Sequence, residues 1–188
     1  MVRVRIAVVL TFLICVAAPA SAQSFIAPFL GFNYGGDVSN ICASLTNCDD
    51  RRSNWGVAFG KMGSVFGFEE EIGYSKNFFG DTPNQNNSVL TLMSNLTAGF
   101  PIGPVRPYGL FGLGLVHPNL EFGTSSLNVT HNALGYDLGA GVNVFFSRGF
   151  GIRGDIRHIK TFDDLTLGIF EDQQINFWRG SAGLVFRF

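Results

Sequence analysis

Charge is scarce in this chain. Asp, Glu, Lys and Arg make up only 14% of its 188 residues, against roughly 25% in an ordinary globular domain. The 13 basic and 14 acidic side chains leave a net charge of −1, so no basic patch offers itself to nucleic acid. Long apolar runs are missing beyond the N-terminus, and no helix is expected to cross a bilayer. Cysteine is rare, at three residues, and no histidine lies near Cys42 or Cys48 to complete a zinc set. The acidic pairs Asp163-Asp164 and Glu171-Asp172 lack the spacing of a calcium loop. Gly109, Gly112 and Gly114 do not open a helix with dinucleotide spacing, so they read as strand glycines. Neither a metal nor a cofactor is expected.

What the chain has instead is 24 glycines and 20 phenylalanines. Glycine punctuates strands and turns, and aromatic side chains favour strands and populate membrane interfaces. A glycine-rich soluble β-sandwich would share this composition. The last eight residues, Ser181 to Phe188, argue otherwise. Ala182, Leu184, Phe186 and Phe188 alternate with Ser181, Gly183, Val185 and Arg187, so one face of the final strand is wholly apolar. Such a face suits a wall against lipid. The pattern resembles the terminal assembly signal of bacterial outer-membrane barrels, with Gly183, Phe186 and Phe188 as its defining residues.

The N-terminus points to export. Arg3 and Arg5 precede an apolar run from Ile6 to Ala18, and Ala20-Ser21-Ala22 reads as a small-x-small cleavage site. Thirteen residues fall short of the roughly 20 needed to span a bilayer, so residues 1–22 are predicted to be a cleaved signal peptide rather than an anchor. Ile14 precedes Cys15 where a lipoprotein would carry a small residue, so Cys15 is assigned to the signal. Residues 23–188 then form one domain with 11 basic and 14 acidic side chains, a net charge of −3. In an oxidising compartment Cys42 and Cys48 are expected to form a disulfide closing a short loop, contributing about 2 kcal/mol.

Eight alternating segments are predicted, at about 25–34, 54–62, 65–75, 89–100, 106–116, 132–146 and 150–161, with the eighth closing the chain. Their connections run long, short, long, short, long, short, long, with both termini at the short-turn end. That is the asymmetry of outer-membrane barrels, whose periplasmic turns are short and external loops long. The predicted fold is therefore an all-β, eight-stranded antiparallel up-and-down transmembrane barrel.

Strand phase follows from cost. A lipid-facing arginine at the midplane costs about 2–4 kcal/mol, so Arg153, Asp155 and Arg157 must face the lumen while Ile152 and Ile156 face lipid. The same reasoning turns Glu69, Glu71, Asp137, Arg179 and Arg187 inward. An eight-stranded barrel has an interior just wide enough for side chains, and charges there must be paired. A plugged core of ion pairs is expected rather than a water-filled pore; the alternative is a narrow proton or ion path. Glu70 falls on the lipid side with Phe68, Ile72 and Tyr74, which calls for a bulge or a partner near the interface.

On Arg106-Pro107-Tyr108-Gly109, Leu138-Gly139-Ala140-Gly141-Val142 and Gly151-Ile152-Arg153-Gly154-Asp155-Ile156-Arg157, the chain resembles the small outer-membrane β-barrel family typified by the outer-membrane protein A transmembrane domain. The resemblance covers residues 23–188 and implies a bacterial outer-membrane location. The family's members include structural, adhesive and defensive proteins. Because the sequence departs from the type member by ending at Phe188, a peptidoglycan-binding domain and cell-wall anchoring are not expected. The reading is a monomeric, non-enzymatic barrel with a structural or surface-interaction role through four external loops. Its expected partners are outer-membrane lipid, the barrel assembly machinery and an unidentified extracellular ligand. The alternative is a narrow channel or carrier for small or apolar solutes. A lipid-modifying enzyme would need a triad such as His117 or His131 with Ser125, Ser126 and Glu121, and loop polarity is the preferred account of those residues. His158, near a strand end on the apolar phase, is expected at the interface.

Overall fold

A computed structural model describes residues 22–36, 38, 51–78, 85–122, 129–130, 132–162, 165–167, 170–173 and 175–188, with 85–86, 120–122, 129–130, 165–167 and 170–173 described through their backbone alone. Residues 1–21 of the predicted signal segment, Cys42, Cys48, Ser125, Ser126 and His131 lie outside the described residues.

The alternating segments become strands β1 (Gln23–Tyr34), β2 (Arg51–Met62), β3 (Phe66–Lys76), β4 (Gln85–Gly99) and β5 (Val105–Phe122), a two-residue β6 (Val129–Thr130), then β7 (Ala133–Phe145), β8 (Phe150–Thr161), β9 (Leu165–Leu167), β10 (Phe170–Gln173) and β11 (Asn176–Arg187). Each long strand pairs antiparallel with its neighbours in the chain, and β11 returns to β1 to close the wall. The result is an eight-stranded barrel of β1–β5, β7, β8 and β11. Strands β6, β9 and β10 are short additions at the loop end.

Several strands run further than alternation suggests. β2 begins at Arg51, β4 at Gln85 and β5 continues to Phe122, through Asn86, Asn87 and Asn119, which look like loop residues. Their ladder is supplied by partners: Gln85 pairs with Phe122 and Asn87 with Leu120 across β4 and β5. Local turn propensity yields there to hydrogen bonding with an adjacent strand.

Closure fixes the stagger. Following paired residues once round the wall links Gln23, Met62, Gly67, Thr97, Leu110, Gly139, Arg157, Arg179 and Asn33. The circuit returns to β1 ten residues beyond its start. At ~3.3 Å per residue and ~4.8 Å between strands, that offset tilts the strands by about 40°.

The two faces of the wall separate cleanly. Ile26, Leu30, Phe32, Trp55, Phe59, Leu96, Phe111, Leu113, Leu138, Ile152, Ile156 and Leu184 are exposed on the outside. Toward the loop end, Trp55 packs on Tyr74, His158 on Trp178 and Tyr136 on Phe162. Toward the turn end, Phe150 packs on both Phe146 and Phe186, and Phe66, Phe100 and Phe188 are strongly exposed. Two aromatic girdles thus bound an apolar band, as hydrocarbon flanked by two interfaces requires.

Candidate functional site: a charge layer inside the barrel

The lumen is built in three layers. At the turn end Phe25, Ala27, Ala58 and Val185 form an apolar floor, with Met62 and Phe145 against it. At the loop end Val38, Phe78, Val89, Met93, Val116, Ala133, Ile159, Ile175 and Phe177 form an apolar roof. Between them lie four carboxylates and three guanidinium groups, each almost wholly buried.

β8 supplies two of the cations from alternate positions. Arg153 forks onto Glu69 of β3, with Nη1–Oε2 at 2.5 Å and Nη2–Oε1 at 3.0 Å, and donates from Nε to Asp155 at 2.8 Å. Arg157 sits at the hub. It reaches Glu69 at 2.9 Å, Glu71 at 2.7 Å, Asp155 at 3.2 Å and Asp137 at 3.4 Å. Arg179 of β11 donates to Glu71 at 2.9 Å, to Asn33 Oδ1 at 3.1 Å and to Thr91 Oγ1 at 3.1 Å. Glu69, Glu71, Asp137, Arg153, Asp155, Arg157 and Arg179 therefore form one connected set.

Four acids against three bases leaves an excess negative charge, which neutral donors accommodate. Tyr108 and Ser181 each donate to Asp155 at 2.8 Å. With its amide nitrogen turned toward Asp137, Asn95 donates at 2.7 Å and accepts from Arg157 Nη1 at 3.2 Å. Asn54 donates to Asn33 at 2.7 Å. Sequence reasoning named none of these neutral partners. Their only signal is phase: each sits at a lumen-facing position, as the charged residues do. Space for them comes partly from glycine, since a Cβ on Gly112 would collide with Asn95 and Asp137, and one on Gly73 with Arg179 and Thr91.

Arg187 departs from the expected balance. It follows the lumen phase but lies eight residues beyond Arg179, below the apolar floor, and rests over the Phe145 ring at 3.4 Å instead of on a carboxylate. Glu70 points outward, and the β2–β3–β4 register runs unbroken through it, so no bulge re-aims it. Its carboxylate is held by Ser94 Oγ at 2.9 and 2.8 Å. His158 lies on the outer wall against Trp178, and His117 contacts Asn132 at 2.6 Å. Gly183, Phe186 and Phe188 lie in the closing seam, where Phe186 pairs with Ile26 and Gly183 with Phe29. The backbone N–H of Phe188 donates to Ser24 at 3.0 Å. Among the described residues no group of His, Cys, Asp and Glu could hold a metal ion.

A closed antiparallel barrel with an apolar exterior, two aromatic girdles and its charges turned inward defines a β-barrel protein of the outer membrane. Residues 8–188 match the family described as the outer membrane protein beta-barrel domain, and the chain belongs to that family, whose location is the bacterial outer membrane. Among solved structures it is similar to Neisserial surface protein A, at 16% identity and a TM-score of 0.64, covering 88% of this chain and 97% of that one. It is also similar to Ail, the attachment invasion locus protein of Yersinia pestis, at 14% identity and a TM-score of 0.56, covering 89% and 99%. Outer membrane protein H of P. aeruginosa matches at 19% identity and a TM-score of 0.55, covering 89% and 100%. At these identities the likeness is one of fold. No curated protein matches the sequence.

Proposed function

We propose that this protein is a sealed, non-enzymatic outer-membrane barrel whose role is structural or surface-interactive, exercised through its external loops. The observation carrying this reading is the layered lumen. Among the described residues a charge layer crossed by ion pairs lies between apolar clusters on both sides, and an ion entering it would have to break buried pairs worth several kcal/mol. That argues against the channel or carrier reading. With the wall against lipid, this reading puts the long-loop end at the exterior, as loop lengths in outer-membrane barrels suggest. A surface role is also in keeping with the similarity to Ail, the attachment invasion locus protein of Yersinia pestis, of which a complex with the heparin analogue sucrose octasulfate is known.

In this reading residues 1–22 are removed on export, Cys42 and Cys48 close a disulfide within the first external loop, and the protein is a monomer. The barrel assembly machinery engages the final strand through Gly183, Phe186 and Phe188. Recording single-molecule conductance in a planar bilayer tests the sealed lumen. A flat trace is expected, and discrete openings would overturn it. Comparing the acylation of lipids from cells with and without the protein tests the non-enzymatic assignment; identical profiles are expected.

A further inference from the structure

The arginines of the charge layer all have carboxylate partners, whereas the turn-end mouth, which faces the periplasm in the orientation above, holds two that do not. Arg106, second residue of β5, is only 8% exposed, and its guanidinium has a single weak contact, Nη2 to the Val65 carbonyl at 3.4 Å. Arg187, last residue of β11, has a buried Nε with no hydrogen-bond partner, and its Nη2 reaches only the Ser147 carbonyl at 3.5 Å. Among the described residues no acidic side chain lies within ion-pair distance of either. The two positive charges act on one another, and Arg148 stands in the adjoining turn, whose Gly149 carbonyl accepts the Arg187 backbone N–H.

The apolar floor lies between this pair and the carboxylates. Phe25 pairs with Arg187 across the seam, and Phe145, whose ring Arg187 covers, packs against that floor. Among the described residues the carboxylates of the charge layer pair with its own arginines and not with these two. A cation withdrawn from water without a counter-charge, as Arg106 is, is costly, and the partly exposed positive charge of Arg187 nearby adds to that cost. Two planar forks with open donors suit a tetrahedral dianion, which can accept from both at once.

We infer that the turn-end mouth is a phosphate-type oxyanion site, with Arg106 and Arg187 as its two clamps. The source is either a soluble phosphate or the headgroup of a phospholipid in the inner leaflet of the membrane.

The test uses the full protein purified from outer membranes into a non-ionic detergent and follows the arginine Nε–Hε resonances. Inorganic phosphate is titrated at constant ionic strength. Phosphatidylglycerol is then titrated into separate micelles. Saturable shifts of Arg106 and Arg187 are expected in at least one arm, and the arm that saturates identifies the source. Arg106→Gln and Arg187→Gln are each expected to raise the half-saturating concentration at least tenfold. Arg106→Lys, which keeps charge but loses the fork, should fall between. Lys61→Gln, an exposed outer-wall change near the same end, should leave binding unchanged. Heat-dependent gel mobility confirms that each variant is folded, and if one glutamine variant fails that check the other carries the test. Absence of saturation in both arms overturns the site, as does equal weakening by Lys61→Gln.

Discussion

Arg157 shows how one buried residue comes to depend on many. It contacts all four lumen carboxylates, while Arg153 contacts two, Glu69 and Asp155. Removing Arg153 leaves both acids still bound to Arg157. Removing Arg157 leaves Asp137 with no cation within ion-pair distance in a low-dielectric interior. Arg157→Met is therefore expected to destabilise the barrel by about 3–5 kcal/mol, the range for breaking a buried pair, and Arg153→Met by clearly less. Urea unfolding from lipid vesicles checks the order, and equal losses would argue against a hub. Because Glu69 serves both arginines, deleting Arg153 and Glu69 together should not restore wild-type stability. Glu70 makes the opposite case. It stands midway along β3 between Phe66 and Tyr74, facing lipid, with Ser94 as its one hydrogen-bonding side chain among the described residues. Polar groups are disfavoured there, so Glu70→Leu should stabilise the folded state by about 1 kcal/mol. The same unfolding assay measures it, and a clear loss of stability would show that the Glu70–Ser94 contact outweighs the cost of exposure to hydrocarbon.

At the scale of elements, the seam between β1 and β11 decides whether a sheet becomes a barrel. The carbonyl of Pro28 occupies the space a Cβ on Gly183 would need, and the Gly180 carbonyl does the same opposite Gly31. The two strands therefore approach too closely for side chains at those points. Gly183→Ala is expected to slow or prevent closure, read as loss of the compact, heat-modifiable band on gels. Truncating Phe188 leaves the rest of the seam unchanged. If the terminal aromatic acts in assembly, that truncation should reduce the yield of folded protein in cells while sparing refolding in detergent. The termini of the strands also mark where sequence reading weakened. Asn86, Asn87 and Asn119 favour loops by composition, yet β4 and β5 carry them as strand because each finds its ladder partner across the pair.

For the whole molecule, the solvent outside the wall is hydrocarbon, and both tryptophans report on it. Trp55 and Trp178 are 59% and 43% exposed on the outer wall near the loop end. Insertion into vesicles should shift their emission to shorter wavelength. Lipids brominated near the headgroup should quench it more strongly than lipids brominated at the chain end, because the residues sit in a girdle rather than at the midplane. Emission unaffected by brominated lipid would place the wall in water or against another protein.

The alternation of single residues was enough to separate lumen from lipid, because period two admits only two phases and charge in hydrocarbon excludes one of them. Glu69, Glu71, Asp137, Arg153, Asp155, Arg157 and Arg179 follow from that rule alone. Their partners do not. Arg153 meets Glu69 across 84 residues of sequence and Arg179 meets Glu71 across 108, and those meetings depend on a ten-residue stagger that exists only once β11 has paired with β1. The same stagger carries Arg187 below the apolar floor, away from the carboxylates with which its phase groups it. Phase is a property of each strand and can be read locally. Height in the lumen is a property of the closed circuit, and only the tertiary structure decided it.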